Sequence, residues 1–236
     1  MPEAPAPPGA SRSVPIAVGW SVLAALCGLG AVTAWPFGVV LGWPAASLAL
    51  VALAYLRGDA HLFGKRPDGA LGWRARPHHW PYLGLTLGIL RLVRRFSREP
   101  VYHAILPDLL LGRRPGAREL PPETTLLVDL TAELSAPLAA RVAAYTSVPA
   151  LDGTAPPLDA FTELVERVAA HEGTAYVHCA FGHGRSACVV AAVLVLRGRA
   201  RDAAEAFALV KRERPFARMS PTQWQLLRAW EARRKR

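Results

Sequence analysis

The sequence predicts an α/β domain with a mostly parallel central sheet flanked by helices, preceded by an N-terminal pair of apolar helices. Two observations carry this prediction. From residue 99 onward, short apolar runs alternate with segments of helical apolar spacing, the pattern of strands joined by crossover helices. Upstream, charge is segregated: residues 13–56 contain no Asp, Glu, Lys or Arg. Only Glu3 and Arg12 precede that stretch, so residues 57–236 hold 27 of the 28 basic and 17 of the 18 acidic residues, and with them the whole net charge of +10. A chain of 236 residues has room for one ordinary domain and an appendage.

Residues 1–13, rich in Pro, Ala and Ser, predict a disordered N-terminus. Val14–Ala34 and Val39–Leu56 are apolar runs parted by Trp35-Pro36-Phe37-Gly38. A helix needs ~20 apolar residues to cross the hydrocarbon core, so 14–56 is expected to form two transmembrane helices joined by a short turn. A secretory signal would show a basic start and a single apolar run. Arg57, Lys65, Arg66, Arg74 and Arg76 follow the second run, and the turn has no basic residue. Basic flanks stay in the cytosol, which predicts a membrane protein with two spans whose termini and downstream domain are cytoplasmic.

Residues 57–98 form a basic connector in which Trp73, Trp80 and Tyr82 alternate with arginines. Leu83–Val93 is too short to span and is flanked by Arg91, Arg94, Arg95 and Arg98. It predicts a helix lying in the membrane interface, with a linker helix packed on the domain as the alternative. The adjacent His78-His79 pair lacks the i, i+4 spacing of a helical metal site.

Residues 99–236 read as one α/β domain. Strands are expected at Val101–Ile105 and Asp108–Leu111, before a turn over Gly112–Gly116. Further strands are expected at Thr124–Asp129, Ser147–Leu151 and Thr174–His178. Helices are expected at Ser135–Tyr145, at Pro157–His171 through Phe161, Leu164 and Val168, and at Arg185–Leu196. Such alternation implies a sheet covered on both faces.

The chemistry concentrates in His178-Cys179-Ala180-Phe181-Gly182-His183-Gly184-Arg185-Ser186. A buried strand brings Cys179 to the C-terminal edge of the sheet, where ligands bind in such folds. A short loop with two glycines follows, and then a helix begins. The unpaired N–H groups and positive end of that helix form a cradle for an anion such as phosphate. Arg185 adds a planar fork of donors. The same field lowers the pKa of Cys179 and leaves a thiolate nucleophile. Ser186 can hydrogen-bond the sulfur, and His178 is expected to buttress the loop through a backbone contact. The three cysteines, Cys27, Cys179 and Cys188, form no disulfide framework, and the surroundings of Cys179 argue for a reducing, cytosolic setting. A zinc site from His178, Cys179, His183 and Cys188 would have poor chelate geometry, so no metal and no cofactor are expected.

This loop, His-Cys-x-x-Gly-x-x-Arg-Ser at every fixed position, resembles that of the protein tyrosine phosphatase superfamily, in its small dual-specificity branch. The resemblance covers about residues 100–232. It implies the cysteine phosphatase fold and hydrolysis of phosphate monoesters through a phosphocysteine, with Ala180, Phe181, Gly182, His183, Gly184 and Arg185 holding the phosphate. It also implies an acid loop, which Tyr145–Thr154 resembles. Asp152 is the expected general acid and Asp159, at a helix start, the alternative; Asp129 is expected to be structural. Arg214-Pro215 and Ser220-Pro221-Thr222-Gln223 fit the same family. Ser220 is an expected N-cap, and Gln223 either helps place water or is an ordinary helix residue. The expected partners are the membrane and a phosphorylated protein, with a phospholipid such as a phosphoinositide or phosphatidylglycerophosphate as the alternative. No nucleic acid is expected. His183 stands where some lipid phosphatases carry Lys, whereas Ala180 stands where lipid-selective relatives carry another. A phosphate-binding pseudophosphatase commonly lacks the cysteine or the arginine, and both are present.

Overall fold

The computed structural model describes residues 13–34, 36, 38–72, 75–137 and 144–236. Two apolar helices come first, α1 (Val14–Thr33) and α2 (Gly38–Arg57). Both are long and apolar enough to cross a membrane. They pack side by side, and the Ser13 amide bonds to the Tyr55 carbonyl at 3.2 Å, so their domain-proximal ends meet. Much of the outer surface of α1 is bare Val and Leu, as in Val18, Val22, Leu26 and Leu29. Such an exposed apolar face marks a contact with a protein partner or with lipid.

A short 3₁₀ turn (Ala60–Phe63) follows, with Asp59 capping it by accepting from the His61 amide at 2.8 Å. Helix α3 runs over Ala75–Phe96, longer than the expected Leu83–Val93 at its N-terminal end. That extension is packed: Phe63 stacks on His79 with centroids 4.8 Å apart, and Trp20 of α1 meets Tyr82 edge-on at 5.3 Å. Trp43 of α2 donates to the Pro77 carbonyl at 2.9 Å. Trp73 of the expected connector lies outside the described residues.

The sheet has five strands: β1 (Tyr102–Leu106), β2 (Leu109–Arg113), β3 (Thr124–Thr131), β4 (Ala144–Ala150) and β5 (Thr174–Cys179). Their order is β1-β2-β5-β3-β4. β1 and β2 form an antiparallel hairpin, and every other pairing is parallel. β2 continues through Gly112 and Arg113, where the sequence suggested a turn, because both residues pair with β5 in register with His178 and Cys179. Of the helix expected at Ser135–Tyr145, only the two ends are described, and neither is helical. Residues 138–143 lie outside the described set, and Ala144 and Tyr145 open β4, held by pairing to Leu126 and Leu127.

Helices α4 (Leu158–Ala169), α5 (Arg185–Leu196), α6 (Ala203–Glu213) and α7 (Pro221–Arg234) complete the chain. They share one core with one face of the sheet, where Leu109, Leu111, Val128 and Val177 meet Phe161, Val189, Leu227 and Trp230. The period of two sends Leu110, Leu127 and Tyr176 to the other face, where a smaller cluster forms with Tyr102, Leu120 and Tyr145. Covering of the two faces is therefore unequal. α5 is buried along nearly its whole length, which its uncharged run Ser186–Leu196 permits. Helix α6, which no signal in the preceding analysis had marked, starts at Asp202, whose carboxylate accepts from the Glu205 amide at 2.8 Å. α7 starts on a capping box in which Ser220 and Gln223 each accept from the other's backbone amide.

Candidate active site

The parallel strands end at one edge, and the register fixes what collects there. Arg113 pairs with Cys179, and Asp129 with His178. The chain then turns through Ala180–Gly184 into α5. Gly182 has φ +75°, and a Cβ on it would fall 2.3 Å from the Gly112 backbone, so only glycine fits this turn. The Cys179 sulfur accepts from the Gly182 amide at 3.3 Å and from the Ser186 hydroxyl at 3.4 Å. Burial alone would push this thiol up. The Arg185 guanidinium and the Ser186 hydroxyl and amide outweigh burial and hold it below the ordinary cysteine value. Cys188, one turn further into the helix, has only burial acting on it and is pushed up, which leaves it an inert thiol.

Arg185 is buried, and its guanidinium is gripped end-on. Nη1 and Nη2 each donate to a Glu133 oxygen at 3.0 Å, and Nη1 also donates to the Ala150 carbonyl at 2.8 Å. Nε is buried without a hydrogen-bond partner among the described residues. The edge of the guanidinium that carries Nε is therefore the one left for an anion, and Glu133 fixes the plane in which it points. Glu133 escaped the sequence reading. An acid just past the end of a strand has no local signature, and only its distance to Arg185 gives it a role.

Asp152 stands on the cleft wall with Gly153, Cys179, Phe181 and Met219, around a cavity of about 370 Å³. Its Oδ1 lies 3.1 Å from Arg185 Nη2, and its side chain is 65% exposed. Asp159, in the first turn of α4, faces away and pairs with exposed Arg233. His178 is buried with Nδ1 3.2 Å from the Cys179 carbonyl, the backbone contact expected of it. Gln223 lines the cleft, but its amide is committed: Oε1 accepts from the Ser220 amide at 2.9 Å and Nε2 donates to the Thr154 carbonyl at 3.0 Å. That geometry makes it a tie between α7 and the loop that carries Asp152.

Two networks brace the loop from behind. Arg214 donates to the Gly182 carbonyl at 2.9 Å and to the Phe181 carbonyl at 3.0 Å, and lies 3.1 Å from Glu99. Glu99 in turn pairs with His183 at 2.7 Å. Beneath the other side sits Asp129, which was expected to be structural. It is fully buried and accepts from Thr131, from Tyr145 at 2.9 Å and from Lys65 at 2.7 Å. Burial would raise the Asp129 carboxyl, but Lys65, His178 and the Thr131 amide hold it well below the usual range. Lys65 comes from the connector, and its ammonium also donates to the Thr131 carbonyl at 2.6 Å. A lysine in a basic stretch reads as a solvated charge, and nothing local marks this one as interior.

With this geometry in view, comparisons with known proteins give the family. The family model for the dual specificity phosphatase catalytic domain matches residues 123–233. Human dual specificity phosphatase 28 is 35% identical over 149 residues, 58% of this chain and 84% of that protein. The chain belongs to the dual specificity phosphatase family. The crystal structure of human DUSP28 superposes with a TM-score of 0.51 at 26% identity, over 58% of this chain and 97% of that one. That of Tk-PTP in its active form gives 0.51 at 27% identity, over 57% and 98%. The structure of PTPMT1 in complex with PI(5)P gives 0.51 at 21% identity, over 56% and 96%, a likeness of fold alone. As a dual specificity phosphatase the chain is a hydrolase of phosphoesters. The family model begins at residue 123, so Lys65 and α1–α3 lie outside it.

Proposed function

We propose that this dual specificity phosphatase is anchored in a membrane by α1 and α2 and hydrolyses phosphate monoesters through a phosphocysteine on Cys179. The observation that carries the proposal is the Cys179 sulfur at the end of β5, receiving the Gly182 N–H and the Ser186 O–H beside the buried Arg185. In the first step the thiolate attacks phosphorus, the S–P bond forms, and the bond to the leaving oxygen breaks. Asp152 gives that oxygen its proton. The developing charge on the phosphoryl oxygens meets the amides of 180–184 and the free edge of Arg185. In the second step a water attacks, and Asp152 takes its proton. The S–P bond breaks, and the Ser186 hydroxyl stabilises the departing thiolate.

The proposal divides the chain into an N-terminal tail over 1–13, two spans over 14–56, a basic connector over 57–98 and a catalytic domain over 99–236. The catalytic domain is cytoplasmic in this plan. Substrates of the family's general class are phosphorylated proteins. A phospholipid substrate is the second reading, and the packing of α3 against the catalytic loop favours it: Leu87 and Leu90 of α3 cluster with Ala180 and Phe181.

The deciding test is Cys179→Ser. Turnover should fall by several orders of magnitude, as for loss of any single nucleophile, while vanadate or phosphate still binds, because amides and Arg185 make the cradle. Acid-quenched wild-type enzyme should yield a phosphocysteine peptide. Turnover by the serine variant above about one per cent of wild type would rule out the thiolate mechanism.

A further inference from the structure

The Asp152 side chain is 65% exposed and its ion-pair partner is Arg185, so its place in the cleft is set mainly by the backbone that carries it. That backbone leaves β4 at Ala150 and makes a tight turn. The Thr154 amide and hydroxyl both donate to the Leu151 carbonyl, at 3.1 and 2.9 Å, and Gly153 takes φ +71°. One side of the turn is tied to helices that follow it. Arg185 donates to the Ala150 carbonyl at 2.8 Å, the Thr222 hydroxyl to the Gly153 carbonyl at 3.0 Å, and the Gln223 amide to the Thr154 carbonyl at 3.0 Å.

The other side is covered by residues far upstream. Leu151 is buried, yet it does not join the main core on the sheet. It belongs to a separate cluster with Ala17 of α1, Val51 and Tyr55 of α2, Phe63, Tyr82 of α3, and Ala132. Ile16 reaches the turn itself, since a Cβ on Gly153 would stand 3.0 Å from the Ile16 Cδ1. The Ser13 amide, bonded to the Tyr55 carbonyl at 3.2 Å, ties the start of α1 to the end of α2, so both helices meet the turn as one surface. Tyr82 extends that surface toward the clamp on Arg185: burial first, and then the Glu133 charge, push the Tyr82 phenol up. Apart from Ala132, every partner of Leu151 in this cluster lies before residue 123, where the family model begins.

We infer that the α1–α2 pair is a positioning element for the general acid, with Ile16 and Tyr55 as positioning residues that hold the 151–154 turn where Asp152 reaches the leaving oxygen. Without their contacts the turn shifts, while Cys179 and Arg185 stay braced by Glu133 and Arg214. A misplacement of ~1 Å can cost about 10²-fold in rate, and here it falls on proton donation alone. The segment that anchors the enzyme thereby also completes its acid, and separating the two disables the proton donor and spares the nucleophile.

The inference rests on the phosphatase reading, and the two fail differently. With the full chain in detergent micelles, kcat/KM is measured for an alkyl phosphate and for an aryl phosphate with an acidic phenol. Ile16→Ala and Tyr55→Ala should each lower the alkyl-to-aryl ratio by about tenfold. The aryl value should stay within about twofold of wild type, because that group leaves unaided. The basic limb of the alkyl pH profile, which reports deprotonation of the acid, should weaken in both variants. Ile16 is half-buried, which makes its alanine variant the milder of the two, and Ile16→Val should keep the wild-type ratio. Added to Asp152→Asn, Ile16→Ala should change the alkyl value by less than about twofold, since the group it positions is already gone. A ratio unmoved in both alanine variants, an equal fall of both substrates in both, or an undiminished loss on top of Asp152→Asn overturns the positioning role. Aryl phosphate hydrolysis that survives Cys179→Ser overturns the phosphatase reading itself, whatever the ratio does.

Discussion

Asp152 and Asp159, seven residues apart, stand in different surroundings. Asp152 lines the cleft beside Arg185, whereas Asp159 sits on the surface and pairs with Arg233. Asp152→Asn should slow alkyl phosphates by about 10²–10⁴-fold, the usual contribution of a general acid. An aryl phosphate with an acidic phenol should suffer far less, because that group leaves unaided. Asp159→Asn should change neither rate, losing a first-turn charge worth a few tenths of a kcal/mol, roughly. Steady-state kinetics on the two substrate types decides; the reverse pattern would move the acid to Asp159. Also at this scale, burial pulls His178 from 6.5 down to about 4, partly offset by Asp129. The unfolded chain therefore binds a proton that the folded one refuses. Stability should be full above about pH 6.5 and fall as the pH drops toward 4, with Asp129, depressed below its ordinary 3.8, adding a further loss below that. Melting temperatures measured from pH 8 to 4.5 should decline, and His178→Gln should flatten the decline above pH 5.

At the scale of elements, the connector is part of the catalytic unit. Lys65 inserts beneath the loop, residues 65 and 71 form an antiparallel bridge, and the Ala136 amide bonds to the Gly69 carbonyl at 2.7 Å. Lys65→Met would strand a buried carboxylate, at a cost of about 3–5 kcal/mol. Lys65→Met combined with Asp129→Asn should recover part of that. Thermal melts of both in detergent test it, and an unchanged melting point for Lys65→Met would contradict the buried pair. By the same logic, a fragment starting at residue 99 should be far less stable than one starting at residue 58. The sequence showed Lys65 as one more basic residue after a span, because nothing local distinguishes a lysine that reaches across 64 residues to its partner from one that faces solvent.

For the whole molecule, α1 and α2 are long and apolar enough to cross a membrane, and the proposal that they do so has a direct test. The full chain should remain in the pelleted membranes after alkaline carbonate washing. Recovery in the supernatant would show that α1 and α2 do not span.

What the sequence determined by itself is what depends on local pattern. The uncharged stretch 13–56, the strand entering Cys179, the boundaries of α5 and the glycine turn between them were legible, since helix termini, glycine turns and apolar periodicity act over a few residues. The Ser220 cap was legible for the same reason. Tertiary structure decided what depends on residues distant in sequence. Pairing with β5 drew Gly112 and Arg113 into a strand and so placed Arg113 beside Cys179. Glu133 became the clamp on Arg185, Lys65 the counter-charge to Asp129, and α3 a packing partner of Ala180 and Phe181. A carboxylate or ammonium looks the same in a sequence whether water or a buried partner neutralises it, and only the fold supplies the partner.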